Sequence, residues 1–146
     1  FVDETSYPYL KELVLKHTSG RLKVAPEHTE DEVLKLMAKP SFRLFERLRM
    51  EFDNIVLSSG RKCELVPYFI SGHPGCGMRE MRRLSSNQAL KGLFMDQVQD
   101  FTPTPMTTSS VMFYTGLDPK GVQKVFVERD LQKKKEQKSF FFRRGK

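Results

Sequence analysis

Two short stretches gather side chains able to do chemistry. Ser71-Gly72-His73-Pro74-Gly75-Cys76-Gly77 sets an imidazole and a thiol three residues apart in a glycine-proline turn, and Glu27-His28 sets a carboxylate beside an imidazole. The His73 and Cys76 spacing suits a pair of metal ligands, but no second pair and no orienting acid accompanies them, which leaves a zinc site or a hydrolase incomplete. Gln97 and Gln99 share one face of a strand, because side chains alternate along it. Two buried glutamines need partners, which a ligand-lined barrel interior supplies; an edge strand with one wet face explains them equally well. Cys63 reads as a core residue and Cys76 as a loop thiol. Two cysteines are too few for a disulfide framework, which fits a reducing cytoplasm.

The elements that must position these groups begin with Leu65 to Ile70, an apolar run bounded by turn signals and therefore a buried strand. In a parallel sheet the loop after such a strand is where α/β proteins keep ligands, so Ser71 to Gly77 is the first place to look. Upstream, Ser6 caps a helix with Leu10, Leu13, Val14 and His17 at helical spacing until Gly20, and His17 in its last turn has a structural role. Arg21 to Ala25 alternates as a strand that Pro26 ends. Thr29-Glu30-Asp31-Glu32 forms a capping box ahead of Val33, Leu34 and Met37. Ser41 caps a longer helix whose stripe of Phe45, Leu48, Phe52 and Ile55 is core. Met78, Met81, Leu84 and Ala89 mark a helix that turns Arg79, Arg82 and Arg83 to solvent, and Phe94 to Phe101 makes a third strand. Thr102 to Thr108, with two prolines, is a rigid loop. Val111 to Thr115 and Val122 to Glu128 read as the arms of a hairpin. The last eighteen residues read as a basic helix or a disordered arm.

At 146 residues the chain is one domain, long enough for a core and short for a closed α/β barrel. Phe1 is not a methionine and no leader pattern follows it, as expected of an excised piece, and no apolar run reaches membrane-spanning length. The net charge of +7 is local. Residues 129–146 hold eight Lys or Arg against Asp130 and Glu136, which is +6 and leaves +1 for the body. Affinity for a polyanion would belong to the tail. Alternating strands and helices signal a parallel sheet with right-handed crossovers, and three such strands alone bury poorly, so the chain reads as part of a larger α/β barrel.

Four stretches carry a family likeness: Leu22-Lys23-Val24-Ala25-Pro26-Glu27-His28, Pro67-Tyr68-Phe69-Ile70-Ser71-Gly72-His73-Pro74-Gly75-Cys76, Gln97 to Pro105, and Tyr114-Thr115-Gly116-Leu117-Asp118-Pro119. Together they resemble the YgiQ-like family of radical S-adenosylmethionine (SAM) proteins from about Tyr9 to Pro119. The resemblance implies a TIM-like partial barrel of six βα units. Residues 1–110 would be its C-terminal half, 111–128 a hairpin extension and 129–146 a basic, flexible tail. It also implies SAM and a [4Fe-4S] cluster as cofactors of the parent protein, with Glu27, His28, Ser71, Gly72, His73, Gly75, Gln97, Gln99 and Asp100 toward SAM. The cluster loop of that superfamily, C-x-x-x-C-x-x-C, is missing here, so no metal ligand is assigned and the chain alone is expected to be inactive. The N-terminal half of the parent would be its partner, the substrate and catalytic residues are unassigned, and the compartment is expected to be cytoplasmic, without membrane contact. The alternative is a non-catalytic module whose basic tail binds RNA or another polyanion.

Overall fold

The apolar run at Leu65 becomes the central strand of a three-stranded parallel sheet. The computed structural model describes residues 6–95 and 97–142. Its strands are β1 (Arg21–Glu27), β2 (Glu64–Ser71) and β3 (Gln97–Asp100), in the order β1-β2-β3. Both pairings are parallel, with Leu22 opposite Leu65 and Ile70 opposite Gln99. The strand-helix alternation is thus observed as expected. The helices are α1 (Tyr7–Glu12), α2 (Asp31–Leu36), α3 (Arg43–Ser59), α4 (Met78–Ser86), α5 (Thr108–Thr115) and α6 (Leu131–Phe142).

Strand alternation gives the sheet two unlike faces. Leu22, Val24, Leu65, Phe69 and Val98 join the core, together with Val33 and Leu34 of α2, the α3 stripe of Phe45, Leu48, Phe52 and Ile55, Met81 and Leu84 of α4, and Phe141 of α6. Burying each such side chain contributes roughly 1.5–3 kcal/mol. The opposite face offers Lys23, Ala25, Tyr68, Ile70, Gln97 and Gln99, all at least partly exposed, and the buried Val66. Gln97 and Gln99 therefore lie together on a wet face, as their spacing requires, and the Tyr68 hydroxyl donates to Gln99 Oε1.

Several local expectations need correction. The helix from Ser6 is α-helical only to Glu12 and continues as a π-turn over Leu13–His17, with the Thr18 hydroxyl donating to Leu13 O at 2.9 Å. The Thr29 capping box is not formed. Glu30 is the N-cap without a side-chain bond, and Asp31 instead accepts from Phe42 N at 3.2 Å and the Ser41 hydroxyl at 3.1 Å, bracing the start of α3. The third strand is confined to Gln97–Asp100; Asp96, inside the expected strand, lies outside the described residues, as do residues 1–5 and 143–146.

The largest corrections concern the C-terminal third. Val111 to Thr115, expected as a hairpin arm, is part of α5, because the Thr107 hydroxyl accepts the Ser110 N–H at 3.2 Å and starts a helix there. Of the hairpin there remains one antiparallel bridge, Leu117 to Lys124. Of the tail, read as a basic helix or a disordered arm, residues 131–142 form the helix α6, and it is docked rather than flexible. Phe141 stacks on Phe69 with ring centroids 5.9 Å apart, Arg82 lies 5.7 Å from the Phe140 ring, and Gln137 is fully buried. Aromatic burial outweighs the repulsion among surface lysines that composition alone suggests.

Candidate ligand-binding site

Parallel strands bring their C-terminal ends to one edge, so the segments following β1, β2 and β3 meet there. They enclose a cleft of about 310 Å³ whose walls include Glu27, Lys39, Ile70, His73, Gln99, Asp100, Phe101 and Ser109. A wider depression at the other end of the strands is walled by Ser19, Gly20, Lys62 and Cys63 and by the first residues of β1 and β2, Arg21 and Glu64. That end of a parallel sheet serves stability.

Glu27 is the most constrained residue of the cleft. Pairing shifts register between Val24 and Glu27, and Glu27 has φ +66, a left-handed conformation that costs a non-glycine residue about 1–2 kcal/mol. Its Oε1 meets Lys39 Nζ at 3.3 Å, while its Oε2 is buried with no hydrogen-bond partner. On the opposite wall Ser71, buried, donates its hydroxyl to Asp100 Oδ1 at 2.7 Å, and Lys138 of α6 approaches Asp100 Oδ2 at 3.7 Å.

His73 ties the turn to α5. Its Nδ1–H donates to Pro74 O at 2.8 Å, so Nε2 is the acceptor and takes the Ser109 hydroxyl at 2.8 Å. The ring meets Phe101 edge-on at 5.0 Å. Burial lowers its pKa, and the Pro74 hydrogen bond offsets part of that.

His28 and Cys76 lie beneath the turn, both fully buried, and not in the cleft wall. His28 Nδ1 accepts the Glu30 N–H at 3.0 Å, which leaves Nε2–H facing Cys76 Sγ at 3.4 Å. Burial holds His28 near pKa 4 and pushes the Cys76 thiol up to about 12, so the pair is neutral and unreactive. The folded protein then resists protonating His28. Its stability from this residue is complete above the unfolded pKa of 6.5 and is lost as pH falls from there toward 4, by about 3 kcal/mol at 1.36 kcal/mol per unit. Melting temperatures between pH 7 and 4.5 should fall steeply in the wild type and much less in His28→Leu; parallel pH profiles would assign the loss elsewhere.

The structure thus brings Glu27, His73, Gln99 and Asp100 around one cleft and places Ser71 against it through Asp100. Gly72 and Gly75 form the turn, Gln97 sits one strand pair away on the wet face, and His28 is buried apart. Sequence reasoning missed Lys39, Ser109 and Gln137. Ser109 had a legible signal in the capping run Thr107 to Ser110, whereas Gln137 lies in a charged run that gives no hint of burial. Among the described residues, no group of three or more His, Cys, Asp or Glu could hold a metal ion, and no helix is long and apolar enough to cross a membrane.

Comparison with known proteins adds three facts. A family model described as a domain of unknown function (DUF3362) matches residues 96–144. The chain has homologues among UPF0313 proteins. It is 46% identical to one from Bacteroides thetaiotaomicron over 92% of its own length and 22% of the relative's. For one from Methanosarcina acetivorans the figures are 41%, 94% and 18%, and for one from Clostridium perfringens 42%, 90% and 20%. The chain therefore spans about a fifth of the curated relatives it matches. No solved structure matches it.

Proposed function

From the similarity to UPF0313 proteins over 92% of the chain, we propose that it is the C-terminal part of a radical SAM domain of the YgiQ-like kind. It would supply part of the SAM and substrate wall in a larger enzyme of unassigned substrate. Support comes from the four motif stretches, from a parallel sheet whose open face and C-terminal edge are polar, and from relatives whose remaining length has room for the N-terminal half.

The [4Fe-4S] cluster does not fit on this chain. Cys76 is sealed under the turn with its thiol neutral, and Cys63 lies elsewhere in the structure, among the turns at the far end of the strands. SAM fits better. The unpaired Glu27 Oε2 is an acceptor for a ribose hydroxyl or an ammonium group, and Ile70 and Phe101 offer apolar surface. SAM supplies a 5′-deoxyadenosyl radical when reduced at a cluster, and this chain would contribute orientation and exclusion of water. Lys39 would hold the Glu27 carboxylate in place, and the Tyr68 hydroxyl would fix Gln99 on the open face.

Glu27 is the observation that carries this reading. A strained, half-unpaired carboxylate at a strand end is costly to keep unless a ligand uses it. In the anaerobically reconstituted full-length protein, Glu27→Gly should leave the melting temperature nearly unchanged, because relief of about 1 kcal/mol of backbone strain offsets the lost ion pair. SAM affinity should fall about 10- to 100-fold, the worth of one charge-assisted hydrogen bond. A wild-type protein that binds no SAM would overturn the proposal, and equal affinities in the two proteins would remove Glu27 from the site.

A polyanion-binding tail has less support. Arg129 donates to Phe113 O and Tyr114 O at 3.0 and 3.1 Å, Lys134 lies 4.8 Å from the Phe113 ring, and Lys138 faces Asp100.

A further inference from the structure

Gly72 and Gly75 of the turn after β2 are tied through their amides to the C-terminal segment. Gly75 N–H donates to Phe126 O at 2.8 Å, and Gly72 N–H donates to Gln137 Oε1 at 3.1 Å. The peptide between Ser71 and Gly72 is held from both sides, since Ser71 O accepts the Phe101 N–H at 2.7 Å. Gly72 has φ +68, a conformation from which a glycine peptide can flip at little steric cost. Gln137 blocks that flip by giving the N–H its acceptor.

Stability does not account for Gln137. The side chain is fully buried, and the bond to Gly72 fixes its oxygen inward, which leaves Nε2 buried with no acceptor. A buried donor without a partner costs about as much as one good hydrogen bond returns, so an apolar side chain of the same length would pack as well. Its remaining contact, a Cys76 thiol 4.0 Å from the same oxygen, is weak.

We infer that Gln137 is a positioning residue for the Gly72 to Gly75 turn, and that α6 is thereby part of the SAM site, an inference that rests on the proposed function. The segment matched by DUF3362 then completes the site from the far end of the chain instead of standing beside it. Gln137 touches no ligand in this scheme. It acts through the direction of the Gly72 amide.

The test compares wild type, Gln137→Met and Gln137→Glu in the full-length protein, reading melting temperature, hydrogen exchange of the peptide spanning residues 71–76, and SAM affinity. Gln137→Met keeps the length and apolar packing, removes the unpaired donor and removes the acceptor. Its melting temperature should stay within a few degrees of wild type while exchange in the turn rises about tenfold and SAM affinity falls about tenfold. Gln137→Glu keeps an oxygen opposite Gly72 and should restore most of both. Unchanged exchange in Gln137→Met would overturn the inference, as would unchanged SAM affinity or a large general loss of stability, which would make Gln137 an ordinary core residue. If the wild type binds no SAM, the functional proposal falls, and the exchange readout still decides whether Gln137 sets the turn.

Discussion

A chain shortened to end at Asp130 will lose its cooperative melting transition. The helix removed, α6, places Phe141 against Phe69, a fully buried residue of the central strand, and Gln137 against the turn that follows it. Truncating one buried phenylalanine to alanine typically costs about 3–5 kcal/mol, and a domain of this size holds only about 5–15 kcal/mol in total. Deleting the helix removes that contact and also uncovers the side of α4 that packs on α6. Phe141→Ala alone should therefore lower unfolding free energy by about 3 kcal/mol. Lys133→Gln with Lys135→Gln, both exposed, should change it by less than about 0.5 kcal/mol. Denaturant unfolding followed by circular dichroism separates the cases. A truncated chain that melts as sharply and at the same temperature as the intact one would show α6 to be an ornament.

Gly75→Val should be the most damaging single substitution in the turn. Gly75 has φ +86, which a β-branched residue scarcely adopts, and a Cβ placed there would lie 2.4 Å from Leu36 Cδ1, far inside contact distance. Backbone strain of about 1–2 kcal/mol and overpacking of about 1–3 kcal/mol act together, giving roughly 2–5 kcal/mol. Gly72 differs in one respect. Its added Cβ would meet only the flexible Lys134 side chain, at 3.6 Å, so Gly72→Ala carries the strain without the clash and should cost about 1 kcal/mol. Thermal melts of the two variants rank the two effects. If Gly75→Val is no worse than Gly72→Ala, the half-buried Leu36 side chain yields to the added methyl groups.

Much of the core was legible because its signals are local. The run Leu65 to Ile70 and the glycine-proline turn after it announced the central strand, and the 3–4 spacing of Phe45, Leu48, Phe52 and Ile55 announced α3. The family resemblance, not periodicity, put Glu27, His73, Gln99 and Asp100 into one group, and these four line one cleft. One failure was a local cap passed over, and the others depended on distant contacts. Val111 to Thr115 alternates well enough for a strand, and only the Thr107 hydroxyl bonded to Ser110 decides for a helix. Residues 131–142 carry so many lysines that periodicity is weak, and the aromatics that dock them come at the very end. Nothing in Glu27 signals a left-handed backbone, and nothing in Gln137 signals that a glycine amide 65 residues away will claim it.

That separation of 65 residues has a consequence for synthesis. A ribosome adds about 5–20 residues per second, so the Gly72 amide waits roughly 3–13 s after its own appearance before Gln137 has even been made. Over the same interval Phe69 has emerged without Phe141, the ring that will cover it. The nascent chain can pair β1 with β2 early, but the turn after β2 lacks its Gln137 partner until α6 arrives. Closure of the turn is thus timed by translation, and a pause ahead of residue 131 would prolong the stage at which it stays unclosed.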